Sequence, residues 1–267
     1  MSVTWMHTNP VMASARYRAL MPAAELQAMG IGPGRDVLVA GKHGWDWDAV
    51  TRGYRRVVYD VCNDRFESRD REFYLSACAR ADAVVAASEE MARRVKRHTG
   101  RTAWVIPDPY EERLGEPHIS ARLLWHGHMA NAHEILPWVQ AMPEYAWSLV
   151  TGGAPQIPPG FEPWSLRRMD VEFSACGLIV LPYIGHPEST ANRAINAIRR
   201  GLFPVCGPLP ALGELGAFQG HVGDGVRWAL AHEAEALKRV KSMQEYVSEA
   251  FAPRAIAMRW KDMLESL

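Results

Sequence analysis

The densest chemistry in the sequence lies between Leu181 and Leu215, LPYIGHPESTANRAINAIRRGLFPVCGPLPALGEL. A strand ends at Pro182, and the loop after it carries Glu188, Ser189 and Thr190. The spacing predicts a helix over Thr190–Arg200, with Ala194, Ile195, Ala197 and Ile198 turned to a core. Asn192 and Asn196, four residues apart, then share a more polar face beside Arg193. The first turn of a helix offers unpaired backbone N–H groups at the positive end of its dipole. Such a start is a ready anion site, and a diphosphate suits it. The guanidinium fork of Arg193 matches phosphate oxygens. Glu188 in the loop and Asn196 inside the helix, with seven residues between them, can hold different hydroxyls of one ligand. A plainer reading stands beside each: the dipole alone favours an acid at a helix start, and polar helix faces are usually solvated.

Other candidates are scattered. Arg16 and Arg18 follow the first strand and an N-cap-like Ser14, as anion contacts or as a solvated helix face. Asp60 and Asp64 lie at the end of the third strand, where Asn63-Asp64 also reads as a turn pair. His126 and His128 flank Gly127. Trp45 and Trp47 can stack on a ring or fill a core. Cys62, Cys78, Cys176 and Cys206 form no CxxC pair and keep no metal-ligand spacing with histidine, so free thiols in a reducing compartment and no metal are expected.

The elements that must position these residues alternate strand and helix. Strands are predicted at Val3–Met6, Asp36–Ala40, Arg56–Val61, Ala83–Ala87 and Ala103–Ile106. Helices are predicted at Ser14–Met29, Asp46–Tyr54, Arg71–Arg80 and Glu89–His98, the last capped by Ser88. Residues 107–120, PDPYEERLGEPHIS, read as a linker. The pattern restarts with strands at Leu123–Gly127, Ala146–Val150, Leu178–Leu181 and Phe203–Cys206. Helices follow at Ala132–Met142, Met169–Ala175 and Thr190–Arg200, and the remainder is mostly helical. This is an α/β chain of two Rossmann-like blocks facing a cleft: residues 1–112, residues 120–250, and a final helix at 251–267. Ligands in such sheets sit beyond the carboxyl ends of the strands.

The length of 267 residues fits two compact domains. Lys+Arg and Asp+Glu number 30 each, so no global positive field draws in nucleic acid or anionic membrane. Arginines do cluster locally, at Arg52, Arg55, Arg56, Arg65, Arg69 and Arg71 and again around Arg93–Arg101. The apolar runs are strand-sized, so no membrane span is expected, and the N-terminus lacks the pattern of a signal peptide. A cytoplasmic protein is the expectation.

With these residues in order, the sequence resembles the GT-B glycosyltransferases that use nucleotide-sugar donors, especially the retaining group with an E-x7-E motif. Glu188 matches the first Glu, which in that family contacts the donor sugar, and Asn196, five residues before Gly201, stands at the second, which there binds ribose, giving E-x7-N. Ala81–Ser88 followed by Val105-Ile106-Pro107-Asp108-Pro109 is similar to the end of that family's first domain. Trp125-His126-Gly127 with Asn131, Ser14–Arg18 and Tyr59–Asp64 resemble further segments.

The resemblance implies a GT-B fold in compact form. It implies a donor, UDP-sugar first, held by Ser189, Thr190, Asn192, Arg193 and Asn196, with Gly127 and Arg16 as further contacts and Glu188, against the donor sugar, as a catalytic residue. It also implies no metal and no cofactor beyond the donor. The acceptor hydroxyl would be held by the first domain, on a glycan, a small molecule or a hydroxymethylated DNA base. If the anomeric centre inverts, a carboxylate must take the hydroxyl proton, with Asp64 the first choice and Asp60 the second. A nucleotide-sugar-binding protein without catalysis is the alternative. An unrelated doubly wound protein, such as an epimerase, is weaker, because no G-x-G-x-x-G follows the first strand.

Overall fold

The computed structural model describes residues 1–6, 12–42, 45–152, 156–182, 191–209, 212 and 215–267. They divide into unit 1, Met1–Glu111 with Ala250–Leu267, and unit 2, residues 112–182 with 191–249.

Unit 1 holds strands β1 (Val3–Met6), β2 (Val37–Gly41), β3 (Arg56–Val61), β4 (Ala83–Ala86) and β5 (Trp104–Val105). They pair in parallel in the order β1-β2-β3-β4-β5. Alternate residues serve opposite faces. Val37, Val39, Val58 and Val85 pack with Leu26 and with Ile256, Trp260 and Leu264 of the last helix, Pro253–Glu265. Tyr59, Val61, Val84 and Ala86 pack with Tyr74, Met91 and Val95 on the other face. Burial of both faces explains why these strands read as unbroken apolar runs. Trp260 is fully buried, its ring edge-on to Trp5 at 4.9 Å.

The helices of unit 1 are α1 (Ala13–Ala15), a π turn (Arg16–Leu20), α2 (Met21–Ala28), α3 (Trp47–Thr51), α4 (Arg71–Arg80) and α5 (Glu89–Thr99). Ser88 caps α5 by accepting the Met91 N–H at 3.1 Å. The π turn inside the expected helix leaves no mark in apolar periodicity, and such turns concentrate at functional or strained positions.

Unit 2 holds β6 (Arg122–His128), β7 (Ala146–Gly152), β8 (Glu162–Pro163), β9 (Leu178–Leu181), β10 (Phe203–Cys206) and β11 (Phe218–Gln219). Its helices are α6 (Ala132–Ala141), α7 (Leu166–Ala175), α8 (Asn192–Arg199), α9 (Val222–Ala231) and α10 (Glu233–Ala250). The parallel order is β11-β10-β9-β6-β7-β8. The chain moves from β6 out to β7 and β8, then returns to lay β9 on the opposite side of β6. The strand order therefore reverses between β6 and β9, where ligands of open parallel sheets bind. Unit 1, with its strands in sequential order, has no such reversal.

The expected elements are present with shifted ends. α7 starts at Leu166, three residues before the expected Met169, because the Ser165 hydroxyl accepts the Arg168 N–H at 3.0 Å. β8 and β11, of two residues each, are too short for a periodic signal.

The expected linker is partly a fastened strap. The Gly115 N–H donates to the Arg199 carbonyl at 2.7 Å, and the His118 N–H to the Gly201 carbonyl at 3.2 Å. Gln244 of α10 donates to the Gly115 carbonyl at 2.9 Å. A Pro- and Gly-rich segment makes few hydrogen bonds of its own, so it takes them from the carbonyls that end α8. Gly201 has φ +90° there, and a Cβ would collide with the Glu116 carbonyl oxygen.

Candidate functional site

The strand-order reversal of unit 2 collects three of the expected site residues. His126 and Gly127 lie in the last three residues of β6, and Arg193 lies in the first turn of α8, which follows β9. The Arg193 guanidinium donates to the His126 carbonyl at 3.0 Å. A Cβ on Gly127 would sit 2.9 Å from the Trp125 ring and 3.0 Å from that guanidinium. Glycine at 127 thus gives room for a cation to cross the strand end. The Thr151 hydroxyl fixes the same turn by donating to the Gly127 carbonyl at 3.0 Å. The N-cap residue of α8, Ala191, has no side chain able to cap it. Glu188, Ser189 and Thr190 lie outside the described residues.

Asn196 does not share a solvated face with Asn192. It is buried, 5% exposed. Its amide donates to the Asn192 carbonyl at 3.0 Å, and its oxygen accepts the Glu112 N–H at 3.1 Å.

His126 packs edge-on to Phe173 at 5.8 Å. Burial, and then the charge of Arg193, push its pKa down to about 3. Between about pH 3 and pH 6.5 the unfolded chain binds a proton here that the folded one refuses. Stability therefore falls with decreasing pH in that window, by about 1.4 kcal/mol per unit. Asp170 and Glu172, whose pKa values are held below the ordinary carboxylate range, add their own loss only below about pH 4, outside the range from about pH 6.5 to 5 tested next. His126→Gln is expected to flatten the unfolding free energy between pH 6.5 and 5, read by urea titration at each pH. Equal slopes for both proteins would refute it.

The candidates of unit 1 are placed differently. Arg16 closes its fork on Glu111, at 2.6 and 3.0 Å, and Tyr17 donates to the same carboxylate at 3.2 Å. Burial alone would lower the Arg16 pKa, but Glu111 outweighs it and holds it above the ordinary value. Asp64 accepts the Phe66 N–H at 3.0 Å, as a turn-forming Asp does, and pairs with Arg94. Asp60 is buried under the fork of Arg18, at 2.6 and 3.0 Å. Arg18 also meets Asp108 at 3.4 Å and the Ile106 carbonyl, with its guanidinium 5.3 Å from the Trp260 ring. Both carboxylates considered as a base are thus neutralised by arginine. Trp45 and Trp47 stack on each other at 5.4 Å, within the cluster around Tyr59 and Phe73.

A small pocket of about 30 Å³, room for a water or two, opens where β1, β2 and β3 end, beside Arg18, Lys42, Asp60 and Cys62. Lys42 holds a left-handed backbone there, φ +67°. Burial, and then Asp60, push the Cys62 thiol up to about 11.

The arginine clusters are largely compensated. Arg56 pairs with Asp82 at 2.9 Å, Arg71 with Glu72 at 2.8 Å, Arg93 with Glu90 at 2.8 Å, and Arg94 with Asp64 and Glu67. Lys96 and Arg101 donate to backbone carbonyls. Among the described residues, no group of three or more His, Cys, Asp or Glu is placed to hold a metal ion.

Arg18, open from the sequence to an anion contact or a solvated helix face, is instead a buried ion-pair partner, and Asp108 and Arg200 are paired without any sequence signal. Their partners lie far away in the chain, Asp60 42 residues from Arg18 and Asp170 30 from Arg200, so no local spacing announces them.

The two parallel-sheet units have the GT-B fold. The structure is similar to that of HepE from Anabaena in complex with UDP-glucose, with a TM-score of 0.76 at 12% identity over 100% of both chains. It is similar to WaaG, a glycosyltransferase involved in lipopolysaccharide biosynthesis, with a TM-score of 0.65 at 11% identity over 96% of this chain and 98% of that one. A glycosyltransferase from Rickettsia africae gives a TM-score of 0.59 at 9% identity, over 98% of this chain and 83% of that one. The sequence matches no family model and no curated protein.

Proposed function

We propose that the chain is a glycosyltransferase that takes a sugar from a nucleotide-diphosphate donor, UDP-sugar first, and passes it to a hydroxyl of a glycan or small molecule. The observation that carries this reading is Arg193, set over Gly127 in the first turn of α8 at the strand-order reversal. A guanidinium in the first turn of a helix, with the positive end of that helix beside it, can stabilise the charge that develops on a departing diphosphate without a metal. HepE, of the same fold, has been solved with UDP-glucose. The compensated arginines of unit 1 lend nothing to a DNA acceptor. Buried free thiols at Cys78, Cys176 and Cys206 fit a reducing cytoplasm. No helix among the described residues is long and apolar enough to cross a membrane.

The neutralised states of Asp60 and Asp64 favour one rival, a nucleotide-sugar binder without catalysis. Thermal shift with UDP-, GDP- and ADP-glucose tests the shared part. At a hundredfold excess over Kd, the right donor is expected to raise Tm by about 5 °C or more. No shift with any of them sinks both readings. Donor hydrolysis then separates the two: an enzyme turns over and Glu188→Ala slows it, whereas a binder shows no turnover in either form.

A further inference from the structure

We infer that Asn196 anchors the strap 112–118 to α8 and is not a ligand of the donor's ribose. The inference deepens the donor-site reading above and rests on it for the ribose half. Under the family resemblance, position 196 carries a Glu that contacts ribose. Here the carboxamide is engaged inside the protein. Its Nδ2 donates to the Asn192 carbonyl at 3.0 Å, one turn back in α8, and its Oδ1 accepts the Glu112 N–H at 3.1 Å.

The surroundings serve the same end. Arg200, one turn further along and also buried, reaches the Glu112 carboxylate at 3.6 Å and Asp170 at 2.6 Å. Arg113 of the strap meets Asp170 at 2.9 Å. Gln244 donates to the carbonyls of Gly115 and Arg199, at 2.9 and 3.2 Å, clamping strap and helix end together. The task at 196 needs a donor and an acceptor on one short side chain, which a carboxamide has and an ionised carboxylate lacks. A Glu would bring a second negative charge toward Glu112 and could not donate to the Asn192 carbonyl. The change from E-x7-E to E-x7-N is therefore a change of task.

The test uses the full chain with UDP and 2′-deoxy-UDP as probes, in wild type, Asn196→Ala and Asn196→Asp. Hydrogen exchange of the Glu112 amide reads the strap. It is expected to speed up roughly ten- to a hundredfold in Asn196→Ala, the loss of a buried hydrogen bond. Asn196→Asp keeps the acceptor for the Glu112 N–H but loses the donor to the Asn192 carbonyl, so its exchange is expected to lie between wild type and Asn196→Ala. Calorimetric affinities read the ribose. The ratio of UDP to 2′-deoxy-UDP binding is expected to stay within about twofold of wild type in Asn196→Ala, the scatter of an uncoupled pair. A ratio that collapses toward one in Asn196→Ala overturns the inference, as does unchanged protection of Glu112. If wild type binds no UDP, the donor reading fails, and the exchange result still decides the strap.

Discussion

Leucine in place of Arg18 is expected to destabilise unit 1 by about 3–5 kcal/mol, the range for removing one partner of a buried ion pair. Arg18 is 5% exposed, Asp60 3% and Asp108 5%. Its fork is the counter-ion of Asp60 and lies within 3.4 Å of Asp108. It also holds the Ile106 carbonyl, which lies just after β5. The end of β3, the π turn and the chain leaving β5 thus depend on one guanidinium. Without it, two carboxylates stay buried in a region whose walls include Trp5, Val39 and Trp260. At about 2–4 °C per kcal/mol for a chain of this size, Tm should drop by roughly 6–20 °C. Asp60→Asn combined with Arg18→Leu should recover part of the loss, because it removes one stranded charge. A double-mutant cycle therefore has a large coupling energy. A single variant within about 1 kcal/mol of wild type would show that water reaches these carboxylates and that the triad is not what holds the strand ends.

That network also marks where the sequence stops being informative. Strands and helices were legible because each is a local pattern. RVVYDV and AVVAA can be little else in a soluble chain, and Ser88 before Glu89-Glu90 announces a helix start. The GT-B fold was legible through the order of such segments. Polar side chains carry no comparable local signal for who their partner is. Arg16, Arg18, Asp60 and Asp64 had the right types and places for contacting a substrate, and the structure engages all four in ion pairs within unit 1. Asp64 was open to two readings from its position alone. The ion pair with Arg94 on α5 depends on a helix packing that no spacing near residue 64 encodes.

Asn196 shows the same limit from the other side. Helix periodicity put it beside Asn192 on a polar face, open to a ligand or to solvent. What buries it is the strap from residue 112, 84 positions earlier. That strap itself read as a loose linker, since Pro, Gly and charge are also what a fastened non-helical segment contains. The position of Arg193 was more legible. A helix start after a strand is a local feature, and Arg193 sits in the first turn of that helix beside the end of β6. The reversal of strand order at this edge was not visible, because β9 follows β8 in sequence and pairs with β6 only in the fold.

Arg193→Ala is expected to lower kcat/KM for the nucleotide sugar by about 10²–10³, the usual cost of removing one group that stabilises charge in the transition state. The structural cost should be much smaller. The hydrogen bond to the His126 carbonyl disappears, which is worth about 1 kcal/mol or a few degrees of Tm. The two effects are separable by ligand. If the guanidinium serves the diphosphate, the variant should lose affinity for UDP and bind uridine almost as wild type does. If it only braces the end of β6, UDP and uridine should weaken together. Arg193→Lys sharpens the contrast, because an ammonium keeps the charge and gives up the planar fork. It should recover part of the UDP affinity and little of the turnover, since a transferring group demands orientation as well as charge. Salt supplies an independent reading: wild-type UDP affinity should fall as ionic strength rises, and that dependence should be shallower in Arg193→Ala. Equal losses for uridine and UDP, with the salt dependence unchanged, would leave Arg193 a brace and move the diphosphate to other groups.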